Sequence, residues 1–282
     1  MIANNCPIYY HIPKCGGTYI YSKSHALIKE LKKQNFTDNS NLDIFFIDIF
    51  NGSHKNILFR ILVIQNPQIF DSNIFHISSE SKKRYNVNIN DLKNLFQIIH
   101  NNIYLIVISS EGFLHDYIIK EYLIEYNIQS TSYMSVRNPY DRALSMYQYL
   151  ISDNSKHELT HYNINPPSFS NFLIKQKNWI IQNILSQKTL ITNIRHEHWL
   201  ETIDICKDWF ICDISNIDNI IYSIFSNYKL NDLDQKLQKK YTWVNKNETN
   251  YDYIPFTRLK DQARLRFLNK TRWDREFYAY FT

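Results

Sequence analysis

Apolar and polar positions along the first half of the chain follow two alternating periods. Ile8 to Ile12 is a short, largely apolar run, the pattern of a buried strand. From Thr18 to about Lys33, Ile20, Leu27, Ile28 and Leu31 fall on one face of a helical repeat. Leu42 to Phe50, Asn56 to Ile64 and Ile74 to Ile77 read as strands. Asn88 and Asn90 are candidate caps for a helix from about Asp91 to His100, which would bury Leu92, Leu95, Phe96 and Ile99. Asn102 to Ser109 reads as a fully buried strand, followed by a helix from about Leu114 to Tyr126. Ser132 to Val136 is a further strand and Pro139 to Leu150 a further helix. This alternation predicts βαβ units and a central, mostly parallel sheet flanked by helices.

The second half changes character. Phe169 to Leu185 reads as one helix, Asp208 to Asp213 as a late strand, and Ile217 to Tyr228 and Thr257 to Leu268 as helices. Asp153 to Pro167 reads as a loop, and no internal repeat is visible. The expected organisation is a single α/β domain over residues 1–282 with a helical C-terminal part.

Composition narrows the function classes. The net charge of +5 suits a phosphorylated cofactor or polyanionic partner, but it is too small and dispersed to argue for nucleic acid. The four cysteines form no C-x-x-C pair and no zinc-finger spacing, so neither a disulfide framework nor a structural zinc is expected. The opening M-I-A-N-N-C-P has no basic region and no apolar run of signal-peptide type. No stretch approaches the roughly 18 apolar residues of a membrane span. The expectation is a soluble chain in a reducing, cytoplasmic compartment. Tyrosine, asparagine and lysine are abundant throughout, so a single one of them carries little weight.

Glycine is the opposite case. The chain has only four, and Gly16 and Gly17 stand together in Y-Y-H-I-P-K-C-G-G-T-Y-I, residues 9–20. A strand ends at Ile12, Pro13 stops the ladder, and two glycines let the backbone turn with its amides uncovered. A helix then starts at about Thr18, so those amides gather at a helix N-terminus, with Lys14 adding a full positive charge. Together these parts make a phosphate cradle. The spacing differs from the G-x-x-x-x-G-K-[ST] nucleotide loop, because the lysine precedes the glycines.

H-I-P-K-C-G-G-T resembles the 5′-phosphosulfate loop of sulfotransferases that use 3′-phosphoadenosine 5′-phosphosulfate (PAPS), above all the branch that includes Golgi carbohydrate sulfotransferases. Tyr19 stands where serine is common in that branch. The family's second motif, R-[DN]-P-x-x-R-x-x-S-x-Y, is matched at every defined position by R-N-P-Y-D-R-A-L-S-M-Y, residues 137–147. The likeness extends loosely over most of the chain, including V-N-K-N-E-T from Val244, where Lys246 could close over the nucleotide or lie on the surface. It implies a P-loop NTPase-like fold and PAPS as cofactor, with 3′,5′-ADP as product and no metal requirement. It further implies transfer to a hydroxyl, or an amine, of a carbohydrate or similar acceptor. By this resemblance Lys14, Cys15, Gly16, Gly17, Thr18 and Tyr19 cradle the 5′ side, Lys14 stabilises the leaving phosphate, and Arg137 and Ser145 grip the 3′-phosphate.

The second motif also makes local sense. Asn138 suits an N-cap, Pro139 the first helical position, and Asp141 the positive end of the dipole. Ser145 lies eight residues past Arg137, on the face of the helix's first turn, so a guanidinium fork and a hydroxyl can meet one phosphate. Arg142 could reach the same site or brace the helix against the loop. Tyr147 and Tyr149 read as packing or wall residues. For the general base, Glu111 at the carboxyl end of the strand N-I-Y-L-I-V-I-S is the first choice, with His115 and His76 as alternatives. His11 reads as structural. Two rivals stay open. One is a P-loop kinase or NTPase, for which Asp48 is a weak candidate acid. The other is a non-catalytic nucleotide- or glycan-binding protein of the same fold.

Overall fold

Eight segments pair edge to edge: β1 (Asn5–His11), β2 (Asp43–Phe50), β3 (Ile57–Gln65), β4 (His76–Ser79), β5 (Arg84–Asn88), β6 (Ile103–Ser109), β7 (Gln129–Val136) and β8 (Phe210–Asp213). The computed structural model describes residues 5–35, 41–51, 57–80, 83–109, 116–151, 168–185, 194–227 and 253–282. In it the strands form one sheet in the order β4-β5-β2-β3-β6-β1-β7-β8. Four of the seven pairings are parallel, namely β1 with β6, β1 with β7, β2 with β5 and β7 with β8. The other three are antiparallel, because β3 runs against both β2 and β6, and β4 against β5. The fold is therefore α/β with a mixed sheet.

The helices are α1 (Gly17–Asn35), α2 (Leu92–Ile99), α3 (Asp116–Glu125), α4 (Pro139–Ile151), α5 (Phe169–Ile174), α6 (Trp179–Leu185), α7 (His196–Cys206), α8 (Asp218–Asn227), α9 (Asp261–Lys270) and α10 (Arg272–Phe281). They cover both faces of β1, which explains the unbroken apolar run there. Ile8 and Tyr10 join a core with Phe96 of α2, Ile119 of α3 and Ile180 of α6. Tyr9 faces the other way, into a core with Ile20 and Leu27 of α1 and Ile220 of α8. A third core links α4, α5 and α9 through Tyr140, Leu144, Phe169, Phe172 and Phe267. Among the described residues no helix is long and apolar enough to cross a membrane.

Three local features differ from the pattern-based reading. β5 (R-Y-N-V-N) joins the sheet although Val87 is its only fully buried residue, because backbone pairing to β2 and β4 holds it. α7 and α10 are additional helices in the C-terminal part. The expected single helix over Phe169 to Leu185 is two, α5 and α6, broken between them. The break has a tertiary cause. The Asn178 side-chain carbonyl accepts the amides of Trp273 and Asp274 at 3.0 and 3.1 Å, capping α10. The buried Asp274 carboxylate in turn accepts the amides of Ile180 and Ile181 at 3.0 to 3.1 Å, capping α6.

Candidate functional site

β1 and β7 run parallel with Tyr10 opposite Met134, and β7 and β8 with Val136 opposite Asp213. The loop after β1, Arg137 after β7, and Asp213 at the end of β8 therefore share one edge of the sheet. β6 ends at the same edge, since His11 is opposite Ser109. Carboxyl ends of neighbouring parallel strands are where α/β sheets collect ligands.

The first loop is a tight turn. The Cys15 amide donates to the Ile12 carbonyl at 3.1 Å, Pro13 holds the second position, and Lys14 takes φ +68°. These features define a type II β-turn, with a lysine where glycine is usual. Gly16 follows at φ +86°. The sheet fastens the loop from below. Ser135 of β7 donates its hydroxyl to the Cys15 carbonyl, and Tyr9 Oη lies 2.6 Å from Ser135 Oγ.

The glycine pair answers to packing on both sides. A Cβ at Gly17 would stand 2.0 Å from the His11 ring, and one at Gly16 would stand 2.3 Å from Ile217 Cδ1. Only glycine lets the first turn of α1 sit this low over β1 and against Ile217. The consequence is chemical. The amides of Gly16, Gly17 and Thr18 meet no acceptor among the described residues, while Tyr19 and Ile20 donate to the Gly16 carbonyl. Three open donors at the positive end of a 19-residue helix form an anion cradle.

Lys14 brings positive charge to the cradle. Lys14 Nζ lies 4.5 Å from the centre of the Tyr149 ring, a cation–π contact from loop to α4. Burial and the neighbouring Lys14 charge push the His11 imidazole down to about 4, so it is neutral at pH 7. Burial pushes the Cys15 thiol up to about 11, and the Arg142 and Arg137 charges only partly offset this. Cys15 therefore contributes backbone and volume rather than a thiolate.

The second motif forms the end of β7 and the start of α4. Asn138 Oδ1 accepts the Tyr140 amide at 2.9 Å, and Pro139 opens the helix. Arg137 is half-buried, and Asp141 and Asp213 lie close enough to interact. Burial raises the Asp141 pKa, Arg137 opposes that shift and Asp213 adds to it. Asp213 itself is held low: burial acts against ionisation, but hydrogen bonds from Ser215 and from Tyr278 Oη at 2.8 Å outweigh it. Ser145 is half-buried on α4. Arg142 braces helix to loop: its buried Nε donates to the Pro13 carbonyl at 3.2 Å.

The remaining candidates separate clearly. Thr18 is exposed beside the cradle. Tyr19 is buried and gives its hydroxyl to Asp218 of α8, so its polar atom serves the α1–α8 contact instead of the loop. His76 is exposed on β4, with four strands between it and β1, too remote to act as the base of this site. Asp48 is buried on β2 and bound by Arg60, with Nη2 at 2.7 Å, and by Arg84 at 3.7 Å; its charge serves the sheet. Tyr147 packs on Phe169 and Phe172. Glu111, His115 and Lys246 lie outside the described residues.

Pattern reading missed the load on His11, whose ring dictates Gly17, and the use of Tyr149 beneath Lys14. A histidine immediately before a glycine-rich turn was the available signal for the first. Nothing local announces the second in so tyrosine-rich a chain. No protein-family model, curated protein or solved structure matches the chain.

Proposed function

We propose that the chain transfers a sulfuryl group from PAPS to a hydroxyl of a carbohydrate or similar acceptor, on a P-loop NTPase-like fold. One observation carries this reading: two cationic turns end adjacent, parallel strands. Lys14 and the open amides of residues 16–18 follow β1, and Arg137 follows β7. Anion-binding groups on two neighbouring turns suit a nucleotide bearing phosphate at both ends, and the same residues carry the two sequence motifs.

PAPS brings an activated sulfuryl group on its 5′-phosphate. The amides of Gly16, Gly17 and Thr18 bind the oxygens of that phosphate. Lys14 stabilises the charge that grows on the bridging oxygen as the acceptor attacks in line. Arg137 and Ser145 hold the 3′-phosphate. Glu111, two positions after the last residue of β6 in the sequence, takes the acceptor proton. No metal takes part in the proposed step.

A thermal-shift panel tests the nucleotide. Strong stabilisation is expected from 3′,5′-ADP and not from ATP with Mg²⁺, and a ³⁵S-PAPS assay against glycans then tests transfer. Indifference to 3′,5′-ADP at high concentration removes the proposal. Within it, Arg137→Ala weakens 3′,5′-ADP binding by about 1.5–3 kcal/mol, the range for a charged hydrogen bond, and leaves 5′-AMP binding nearly unchanged. Lys14→Ala lowers turnover more than nucleotide affinity. Equal wild-type affinity for 3′,5′-ADP and 5′-AMP contradicts the role given to Arg137.

A further inference from the structure

Arg142 is buried to 4% exposure, a costly place for a guanidinium. Its Nε donates to the Pro13 carbonyl at 3.2 Å, and its plane lies 4.5 Å from the centre of the Trp179 ring. Its Nη2 is buried and meets no hydrogen-bond partner among the described residues. Asp274, a buried acid whose charge acts on Arg142, has its carboxylate engaged by the amides of Ile180 and Ile181. Packing alone would be served as well by an apolar side chain here. Beyond its charge and its contact with Trp179, the guanidinium adds a directed bond, to the carbonyl that precedes Lys14.

That carbonyl belongs to the central peptide of the type II turn. Types I and II have the same first and last residues and differ by a flip of this one peptide, which reverses its carbonyl and amide. Pro13 is compatible with both, and type I suits an ordinary L-residue at the third position better. Yet Lys14 sits at φ +68°, the type II value. The bond from Arg142 favours that orientation.

We infer that Arg142 is a positioning residue, which selects the Pro13–Lys14 peptide orientation and thereby sets Lys14 and the open amides of residues 16–18 toward one anion. The helix that carries Arg142 also carries Ser145 and begins two residues after Arg137. One rigid element thus holds the 3′ pocket and latches the 5′ turn. Released from the latch, the peptide flips, Lys14 relaxes to negative φ, and a carbonyl replaces an amide on the other face of the turn. The identity of the anion as the 5′-phosphate of a 3′,5′-bisphosphorylated adenosine rests on the sulfotransferase reading.

Titration calorimetry of the full chain with adenosine 3′-phosphate and with 3′,5′-ADP isolates what the 5′-phosphate adds. In Arg142→Gln that increment is expected to shrink about tenfold, equivalent to the loss of one good hydrogen bond, while 3′-phosphate affinity stays within about twofold. An unchanged increment, or equal weakening of both nucleotides, overturns the inference. Crystal structures of wild type and variant give an independent reading, with Lys14 expected at negative φ in Arg142→Gln. A retained positive φ overturns it. If Arg142→Gln does not fold, Trp179→Leu removes the stacking surface but keeps the donor, and the same selective loss is expected at about threefold. Wild-type binding of both nucleotides by Trp179→Leu then overturns the latch. Should the wild type bind neither nucleotide, the sulfotransferase reading fails, and the Lys14 backbone in the variant still decides the role of Arg142.

Discussion

Gly17 is held to glycine by a neighbour in the preceding strand. The His11 ring fills the space where a side chain would start, with the nearest atom 2.0 Å from an added Cβ. Gly17→Ala is therefore expected to destabilise the fold by about 1–3 kcal/mol, the range for overpacking, read as a lower urea midpoint. In a His11→Ala background the same substitution should cost much less, because the ring it strikes is gone. A penalty that stays the same in both backgrounds removes this explanation of the glycine. The sequence made the pair conspicuous by scarcity and tied it to phosphate. It did not reveal that packing demands the glycines and that the open amides are the result. Contacts between residues six apart in a turn depend on how low the helix sits, and no local pattern encodes that.

Elements were legible where one face or both faces are apolar over their whole length. β1, β2, β3, β6, β7, α1, α2 and α4 fall close to where periodicity places them. β5 and the α5–α6 break share a physical cause, since their order comes from partners outside the segment itself. β5 is held by ladder bonds to β2 and β4 rather than by burial. The α5–α6 break is held by Asn178 and Asp274, which exchange caps across 93 to 96 positions. Asp274→Ala is expected to cost about 1–3 kcal/mol by leaving two buried amides without an acceptor. Amide hydrogen exchange at Ile180 and Ile181 should quicken more than at Ile8 in β1. Uniform quickening through both elements would mean the cap does not act locally. Because Trp179 of α6 stacks on Arg142, loosening α6 is also expected to loosen the turn at Lys14.

Across the whole molecule, two desolvated titrating groups, the buried Asp274 and the half-buried His11, flank this junction with opposite effects on stability. Burial raises the Asp274 carboxyl to about 6 despite the amides and the Arg142 charge, which act to lower it. A carboxyl whose folded pKa lies above its unfolded value contributes stability that is complete below the unfolded value and lost as pH rises through the folded one. Acidification from pH 7 toward 4 therefore strengthens the fold through Asp274. His11 is displaced the other way, to about 4, by burial and by Lys14. Its contribution is complete above the unfolded value and lost as pH falls through the folded one, so the same acidification weakens the fold. Each effect is of order 3 kcal/mol at 1.36 kcal/mol per pKa unit, and their windows nearly coincide, so in the wild type they offset one another. Asp274→Asn removes the stabilising half and keeps a side-chain carbonyl for the α6 amides. Its stability, measured by urea titration, is expected to fall from pH 7 to pH 4.5 by roughly 2 kcal/mol more than that of the wild type. His11→Gln should show the reverse and gain on the same wild-type baseline. Parallel profiles for all three chains would mean that neither group carries its displaced pKa. The cradle at α1 would then sit in a more hydrated setting than its packing against His11 and Ile217 implies.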